Sequence, residues 1–491
     1  MKAFSKILFV TTLILTFSCG DALEPEPVSF VTGDSFFSND AELENGVLAM
    51  YEGLQGTNTP QFNEPRATQI EFYLTEMRSD NTQSRNGGSL DSDFQQFELY
   101  EVDVQNFVVR NYYESMYNII FRAHLVLDNI ENASDRRREE FEGQARFVRA
   151  YSYFQLVRLF GPVPMPLRVI APEEAEIAFT RVDAPMVYQQ IVQDLKAAID
   201  NLDDSGSRTM ATRSAAQALL AKVYLTIAGA ENIEPIANYD SARILCEDII
   251  NSGQFALMDN YFDVFNSEVN GREDPDDEEL APNTEVIFAI EYVRNNPLTS
   301  QNYSREWGDF GFRFANFTTE DIRNAYFERG ETERVAFAES NSPGAFFVTK
   351  YLPNSSILEQ AGNDWIVLRY ADVLLMYAES ILSINTSTGD LRAVDAYNEV
   401  RERAGFDVPA FAFTEDELFE ERRIELAFEN QRFFDLLRID ENQNSAELIL
   451  STHSVEVGGN FARTDLLLPI PQNEINLSLG TSTILEQNNG Y

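Results

Sequence analysis

TRSAAQALLAKVYLTIAGAENIEPIANYDSARILCEDIINSG, residues 212–253, reads as two helices folded back on each other. Ala216, Leu220, Val223, Tyr224 and Ile227 recur at helical spacing and make one apolar stripe. Thr212 is an N-cap candidate, because its hydroxyl can accept from a free amide of the first turn. Gly229 lies at the far end. The second helix, from 238 to 252, is closed by Gly253. It carries Cys246 among Ala242, Ile244, Leu245 and Ile249, the setting of a small buried hydrophobe.

The same pairing extends in both directions. Residues 139–160 (Phe147, Ala150, Tyr151, Phe154 and Val157 on one stripe, stopped by Gly161-Pro162) pair with 185–202. Residues 365–384 (Val367, Tyr370, Leu374, Tyr377, Ala378, Ile381) pair with 390–404 (Ala393, Tyr397, Val400, Ala404, then Gly405). An earlier pair is expected at 103–120 and 121–133. Small residues such as Ala218, Ala221, Ala242, Ala378 and Ala393 permit close approach, and the irregularly spaced pairs resemble degenerate tetratricopeptide repeats. Each pair can bury one face only against its neighbour, which predicts a curved stack. Residues 60–102 and 254–362 read differently, being rich in Asn, Gly, Ser, Pro and aromatics. They hold only short strand-like runs at Val286 to Tyr292 and Phe346 to Tyr351, and loops of such length tend to be functional. The expected fold is mainly α, a tetratricopeptide-like helical stack merged with a loop-rich lobe carrying short strands.

Composition excludes several function classes. The chain has 491 residues, a formal charge of −43, 44% hydrophobic and 12% aromatic residues, so it has ample material for a packed core. Such a negative surface repels phosphate backbones and anionic headgroups, which argues against nucleic-acid binding. Only two histidines exist, His124, expected to be packed or capping, and His453, expected in a loop; that removes most zinc sites and histidine triads. The two cysteines, Cys19 and Cys246, give no metal pattern and no disulfide framework. There is no phosphate-cradling Gly-x-x-x-x-Gly-Lys and no Gly-x-Ser-x-Gly elbow. Asp274 and Asp276 to Glu279 form an acidic loop without the frame of a calcium loop, so a solvated loop is expected and no metal or cofactor is assigned.

At the N-terminus, Lys2 and Lys6 precede the apolar run Ile7 to Leu15, too short to span a bilayer and suited to a secretory signal over 1–18. Cys19 directly after this run resembles the lipidated cysteine of a bacterial lipobox, although Thr16 stands where strict lipoboxes have Leu. Acidic residues and prolines follow it (Asp21, Glu24, Pro25, Glu26, Pro27), the composition of a solvated tether over 19–35.

Six segments in order then resemble one family. Gln144 to Pro164 (QARFVRAYSYFQLVRLFGPVP), Leu368 to Glu379 (LRYADVLLMYAE) and Tyr397 to Gly405 (YNEVRERAG) are similar to signature helices of the SusD/RagB family. So is Glu420 to Arg438 (EERRIELAFENQRFFDLLR), with Leu468 to Glu474 (LPIPQNE) and Gln487 to Tyr491 (QNNGY) completing the set. The resemblance implies an outer-membrane lipoprotein exposed at the cell surface. Such a protein lids a SusC-like TonB-dependent barrel and delivers oligosaccharides, or in some relatives peptides, for import. It implies a SusD-like helical region over 36–253, a loop-rich ligand-binding region over 254–362 and a SusD/RagB helical region over 363–491. Its helical lobe would face the barrel.

A sugar site needs flat aromatic platforms flanked by planar polar groups. Residues 301–314 offer Tyr303, Trp307 and Phe310 with Arg305, in a Gly-containing stretch. A second cluster holds Tyr73, Arg78, Asp80 and Asn81 beside Phe72, Glu76 and Asn86-Gly87-Gly88, and the family resemblance implies that the two converge on the ligand. Trp365 is expected to be structural. Glu421, Glu425, Glu429 and Asp435 could be a hydrolase's carboxylates. Their interleaving with Arg422, Arg432 and Arg438 points instead to i, i+3 pairs (Arg422–Glu425, Glu429–Arg432, Asp435–Arg438) behind a Thr414/Glu417 capping box. The expected function is binding without turnover; the alternatives are a surface glycoside hydrolase and a helical scaffold for protein partners.

Overall fold

In the computed structural model the described residues are 37–57, 66–84, 92–231, 233–266, 283–309, 315–439 and 444–491. The leader, Cys19 and its tether, Asn86-Gly87-Gly88, the acidic loop at 274–279 and Phe310 lie outside them.

The stripes read from the sequence become helices within a few residues of the expected ends. The helices are α1 (Asp40–Gln55), which is not among those stripes, then α2 (Phe107–Asp128), α3 (Arg138–Phe160), α4 (Ala184–Asn201), α5 (Arg213–Gly229) and α6 (Pro235–Ser252). A long insertion carries α7 (Glu320–Arg329), and after it follow α8 (Tyr370–Leu382), α9 (Leu391–Arg403), α10 (Glu415–Glu425) and α11 (Arg432–Ile439). Thr212 accepts from the Ala215 amide at 3.1 Å, and Gly253 closes α6 at φ 65°. Each stack helix packs on the next, α2 on α3, α3 on α4, α4 on α5, α5 on α6 and α8 on α9. The close approach rests on small residues. Ala215, Ala216, Ala218 and Ala221 on α5 are fully buried, and a Cβ on Gly143 of α3 would sit 2.8 Å from Leu202. Helix α8 packs on α6 although the whole 254–369 insertion separates them in sequence. The loop-rich lobe is therefore inserted between two successive members of one stack.

Three sequence expectations are corrected. The pair at 103–120 and 121–133 is a single helix, α2, because FRAH (121–124) contains neither Gly nor Pro to break it; Asn106 caps its start. Residues 365–369 are not the first turn of a helix. Trp365–Arg369 is a strand (β6) paired antiparallel with Val286–Ile290 (β2), and α8 begins at Tyr370. His453 lies buried on the helix Asn444–Val457 rather than in a loop.

The inserted lobe carries an antiparallel four-stranded sheet in the spatial order Thr82–Gln83 (β1), Phe317–Thr318 (β3), Phe346–Val348 (β5), Phe337–Glu339 (β4). The run expected from Phe346 to Tyr351 is thus a strand only as far as Val348.

The charged segment 420–438 is buried, and its ion pairs reach across the fold. Arg422 pairs with Asp372 of α8 at 3.0 Å and Asp435 at 3.1 Å, not with Glu425. Arg432 holds Asp80 at 2.8 Å, not Glu429. Only Asp435–Arg438, at 2.5 Å, is the expected i, i+3 pair. Arg422 and Glu425 share α10, but Asp372 and Asp435 claim the one while Arg334, Arg369 and Arg403 claim the other. For Glu429 and Arg432 the reason is geometric: α10 stops at Glu425, and Phe428 and Asn430 take positive φ in a turn. Residues 425–432 therefore share no helical face. Glu425 is held well below the usual carboxylate range because Arg403, Arg369 and Arg334 outweigh the desolvation that burial imposes.

Candidate functional site in the inserted lobe

The two sequence clusters do meet, but in the interior. Trp307 and Tyr303 are each 1% exposed and Tyr73 is fully buried. The Trp307 ring lies 5.2 Å from Phe72, 5.4 Å from Tyr303, 5.7 Å from Tyr351 and 5.9 Å from Trp365, mostly edge to face. Tyr73 donates to Glu306 at 2.8 Å, and Tyr303 donates to the Asn363 carbonyl at 2.8 Å. Trp365 is buried in the same knot, as expected of a structural ring.

The polar candidates are also internal. Arg78 donates to the carbonyls of Leu74 (3.1 Å), Leu466 (3.2 Å) and Asp465 while covering the Phe433 ring. Asp80 is clamped by Arg432 and Arg423, which drive its carboxyl far down against the cost of burial. Asn81 accepts from Arg423 Nε at 2.9 Å. Beneath them Glu76 is fully buried, accepts from the Asn430 amide at 3.1 Å, and is pushed up to about 7 by desolvation. The expectation that Tyr303, Trp307, Tyr73, Arg78, Asp80 and Asn81 present a ligand-facing surface is corrected. Side chains this large and apolar, or so fully paired, form the knot that ties the N-terminal loop to the C-terminal helices. Arg305 alone among the described candidates reaches the rim, where it pairs with Glu359 at 2.8 Å.

In the four-stranded sheet, the register sets Gln83, Phe317, Phe347 and Ala338 in one row on one face. Phe317 is buried at the centre of this row, while Gln83 and Phe347 stay half-exposed. The opposite face carries Phe346 and Phe337 against α7, with the Arg323 guanidinium 4.6 Å above the Phe346 ring. Asp309 accepts from the Asn341 amide at 2.7 Å and so fixes the hairpin beside the row. Phe347 and Gln83 thus stand two strands, about 10 Å, apart on one face, a ring and a planar amide at the two sides of a surface that a sugar could span. The sequence did carry a signal for it: two adjacent phenylalanines in a short strand must point to opposite faces, so one is turned away from α7.

The carboxylates considered for hydrolysis have no access to a substrate. Glu421 and Glu425 are fully buried, and Glu429 and Asp435 are 3% and 4% exposed. Among the described residues, no group of three His, Cys, Asp or Glu is placed to hold a metal ion, and no helix is long and apolar enough to cross a membrane.

Comparison with known proteins agrees with the architecture. Residues 251–491 match the model described as the SusD family, and residues 33–225 match one described as "Starch-binding associating with outer membrane". The chain belongs to the SusD/RagB family. It is 25% identical to SusD-like protein P2 of Formosa agariphila, over 99% of each chain. Among solved structures it shares its fold with a laminarin-binding SusD-like protein (TM-score 0.71, 22% identity, 92% of this chain and 100% of the other). It likewise shares it with surface glycan-binding protein A of Bacteroides fluxus (TM-score 0.74, 20% identity, 92% and 99%).

Proposed function

We propose that this SusD/RagB protein captures oligosaccharides at the cell surface and passes them to a SusC-like TonB-dependent barrel without chemical turnover. Cys19 would supply its lipid anchor in the outer membrane. Family membership and glycan-binding neighbours support the ligand class. The observation that carries the placement is the half-buried Phe347 on the same sheet face as Gln83, with the Phe317 strand between them, where β1 of the N-terminal loop joins the strands of the insertion. In this reading Phe347 stacks on a sugar face, Gln83 orients its hydroxyls, and Arg305 and Asp309 border the surface. Trp307 and Tyr303 belong to the packed knot that joins the two loop regions. Acid–base chemistry finds no place here, because the carboxylates of 420–438 are buried and ion-paired.

The test is retention of the detergent-solubilised full chain in native gels containing laminarin, xyloglucan or starch. Retention lost in Phe347→Ala, with an unchanged melting temperature and no released reducing ends, is the expected outcome. Release of sugar from a retained polymer would establish the hydrolase alternative. Failure to retain any glycan, with capture of peptides instead, would move the ligand class.

A further inference from the structure

A second hollow lies away from the sheet, at the seam where the insertion leaves the helical stack. It has a volume of about 890 Å³ and is walled by α1, the loop 206–210 before α5, the end of β2 and the turn 291–299. A volume of that size suits a bound small molecule.

Its polar wall is fixed in place before any ligand arrives. Gln55 donates to the carbonyls of Glu291 (2.6 Å) and Thr299 (3.1 Å), joining α1 to the turn. Asn296 accepts from the Leu298 and Thr299 amides and is held by its own loop. Arg208 donates to the Val286 carbonyl at 2.6 Å, while its own carbonyl accepts from Ala289 at 3.0 Å, so the 206–210 loop is stitched to β2. The Tyr51 hydroxyl donates to Gln144 and accepts from the Ala211 amide at 2.9 Å, which locks its ring as part of the wall. The Thr299 hydroxyl is shielded from solvent and so belongs to the body of the wall; the polar groups open to a ligand are those of Glu52, Glu291, Arg208 and Asn296. A polar wall already fixed in place spends little free energy on ordering when it meets a hydroxylated ligand.

The charge selects within that class. Two carboxylates, Glu52 and Glu291, face one guanidinium, Arg208, on a chain of net charge −43. Uronates and sulfated sugars are repelled, whereas neutral hydroxyls can donate to the carboxylates and accept from the amides and guanidinium. We propose that this hollow is a second glycan subsite, holding a short stretch of neutral oligosaccharide at a place separate from the Phe347 row. The proposal rests on the glycan-binding reading above for its ligand class.

The test uses the full chain in detergent with neutral laminari- and xyloglucan-oligosaccharides and, as the charged control, an oligogalacturonate. Isothermal titration gives stoichiometry, and radical footprinting reads the oxidation of Met210, which lines the hollow. Expected are two sites per chain, Met210 protection by the neutral sugars alone, one site remaining in Ser207→Trp, and about tenfold weaker second-site binding in Glu52→Ala. One site, lost in Phe347→Ala and indifferent to Ser207→Trp, with Met210 unprotected, overturns the second subsite and leaves the function intact. Binding lost in Ser207→Trp but kept in Phe347→Ala supports the hollow and overturns the Phe347 placement. Protection of Met210 by the galacturonate overturns the charge argument. No glycan binding of any kind overturns the function itself, and protection by peptides alone overturns the ligand class.

Discussion

Replacing Arg369 by Met tests whether the buried charge network holds the inserted lobe to the stack. Arg369 is 1% exposed and donates to Glu285 at 2.7 Å, to Glu425 at 2.5 Å and to Glu429 at 2.8 Å through both Nε and Nη2, with a further bond to the Glu425 carbonyl. Methionine fills similar space but leaves three carboxylates facing fewer cations. Arg403 and Arg334 still neutralise Glu425 and Lys350 still neutralises Glu429, so the damage is that of one missing partner rather than a collapsed site. Removing one member of a buried pair costs about 3–5 kcal/mol. With an unfolding entropy of ~2.1 cal/mol/K per residue, a 491-residue chain has roughly 1 kcal/mol/K, so the melting temperature should fall by about 3–5 °C. The control is Arg168→Met. Arg168 also makes a 2.6 Å pair, with Glu174, but both side chains are open to solvent, and its loss should leave the melting temperature nearly unchanged. Scanning calorimetry on the two variants decides. Equal shifts, or a fall of under about 1 °C for Arg369→Met, would show that the buried network adds nothing beyond what surface pairs add.

Other outcomes follow from the same coordinates. Trp307→Ala should destabilise the chain by about 3–5 kcal/mol through cavity formation, while the folded fraction keeps its glycan affinity; titration below the melting transition measures this. Phe347→Ala should do the reverse, leaving the urea midpoint unchanged and weakening glycan binding by about tenfold or more, the value of one lost ring contact. Glu76 has a folded pKa of about 7 against an ordinary 4.5, so the folded state favours its proton. Its contribution is most favourable below pH 4.5 and is lost as pH rises through 7, by ~3 kcal/mol, and Glu76→Gln should gain stability over the native chain in urea melts between about pH 5 and pH 8. Gly362→Ala should cost about 1–3 kcal/mol, because its Cβ would lie 2.5 Å from the Arg294 backbone nitrogen; a circular-dichroism melt checks it.

The helical stack was legible because its signals are local. A stripe such as Ala216 to Ile227 and a cap such as Thr212 fix a helix from within fifteen residues, and the structure keeps both. What failed was non-local. Arg422 and Glu425 stand three apart in sequence, yet which carboxylate Arg422 meets depends on where α8 brings Asp372. Trp307 shows the same limit more sharply. Aromatic residues in an irregular Gly-containing stretch serve equally as a platform or as a plug, and only the packing of Phe72, Tyr351 and Trp365 around the indole distinguishes the two. Of the two clusters expected to converge, Phe72 and Tyr73 do meet Glu306 and Trp307, but in the interior, whereas Arg78, Asp80 and Asn81 are drawn to the C-terminal segments.

That buried convergence has a functional use. An insertion between α6 and α8 enters and leaves the stack at neighbouring helices, so without further ties it could rock as a unit about its two connections. The ties exist: Arg369 on β6 gathers Glu285 from the lead-in to β2 with Glu425 and Glu429, and the segment leading into β1, the strand that pairs with β3 of the insertion, is anchored by Arg432 and Arg423 on Asp80 and by Arg78 on the carbonyls at 465–466. Each pair joins segments hundreds or tens of residues apart, and each is shielded from solvent, where salt screens it little. A sheet backed by α7 on one face and held within a lobe tied down in this way offers Phe347 and Gln83 at a fixed spacing. Binding then spends little free energy on ordering the protein, which lets a few contacts suffice. It also keeps the grip shallow, one ring and its flanking polar groups, as suits a protein that must release what it captures.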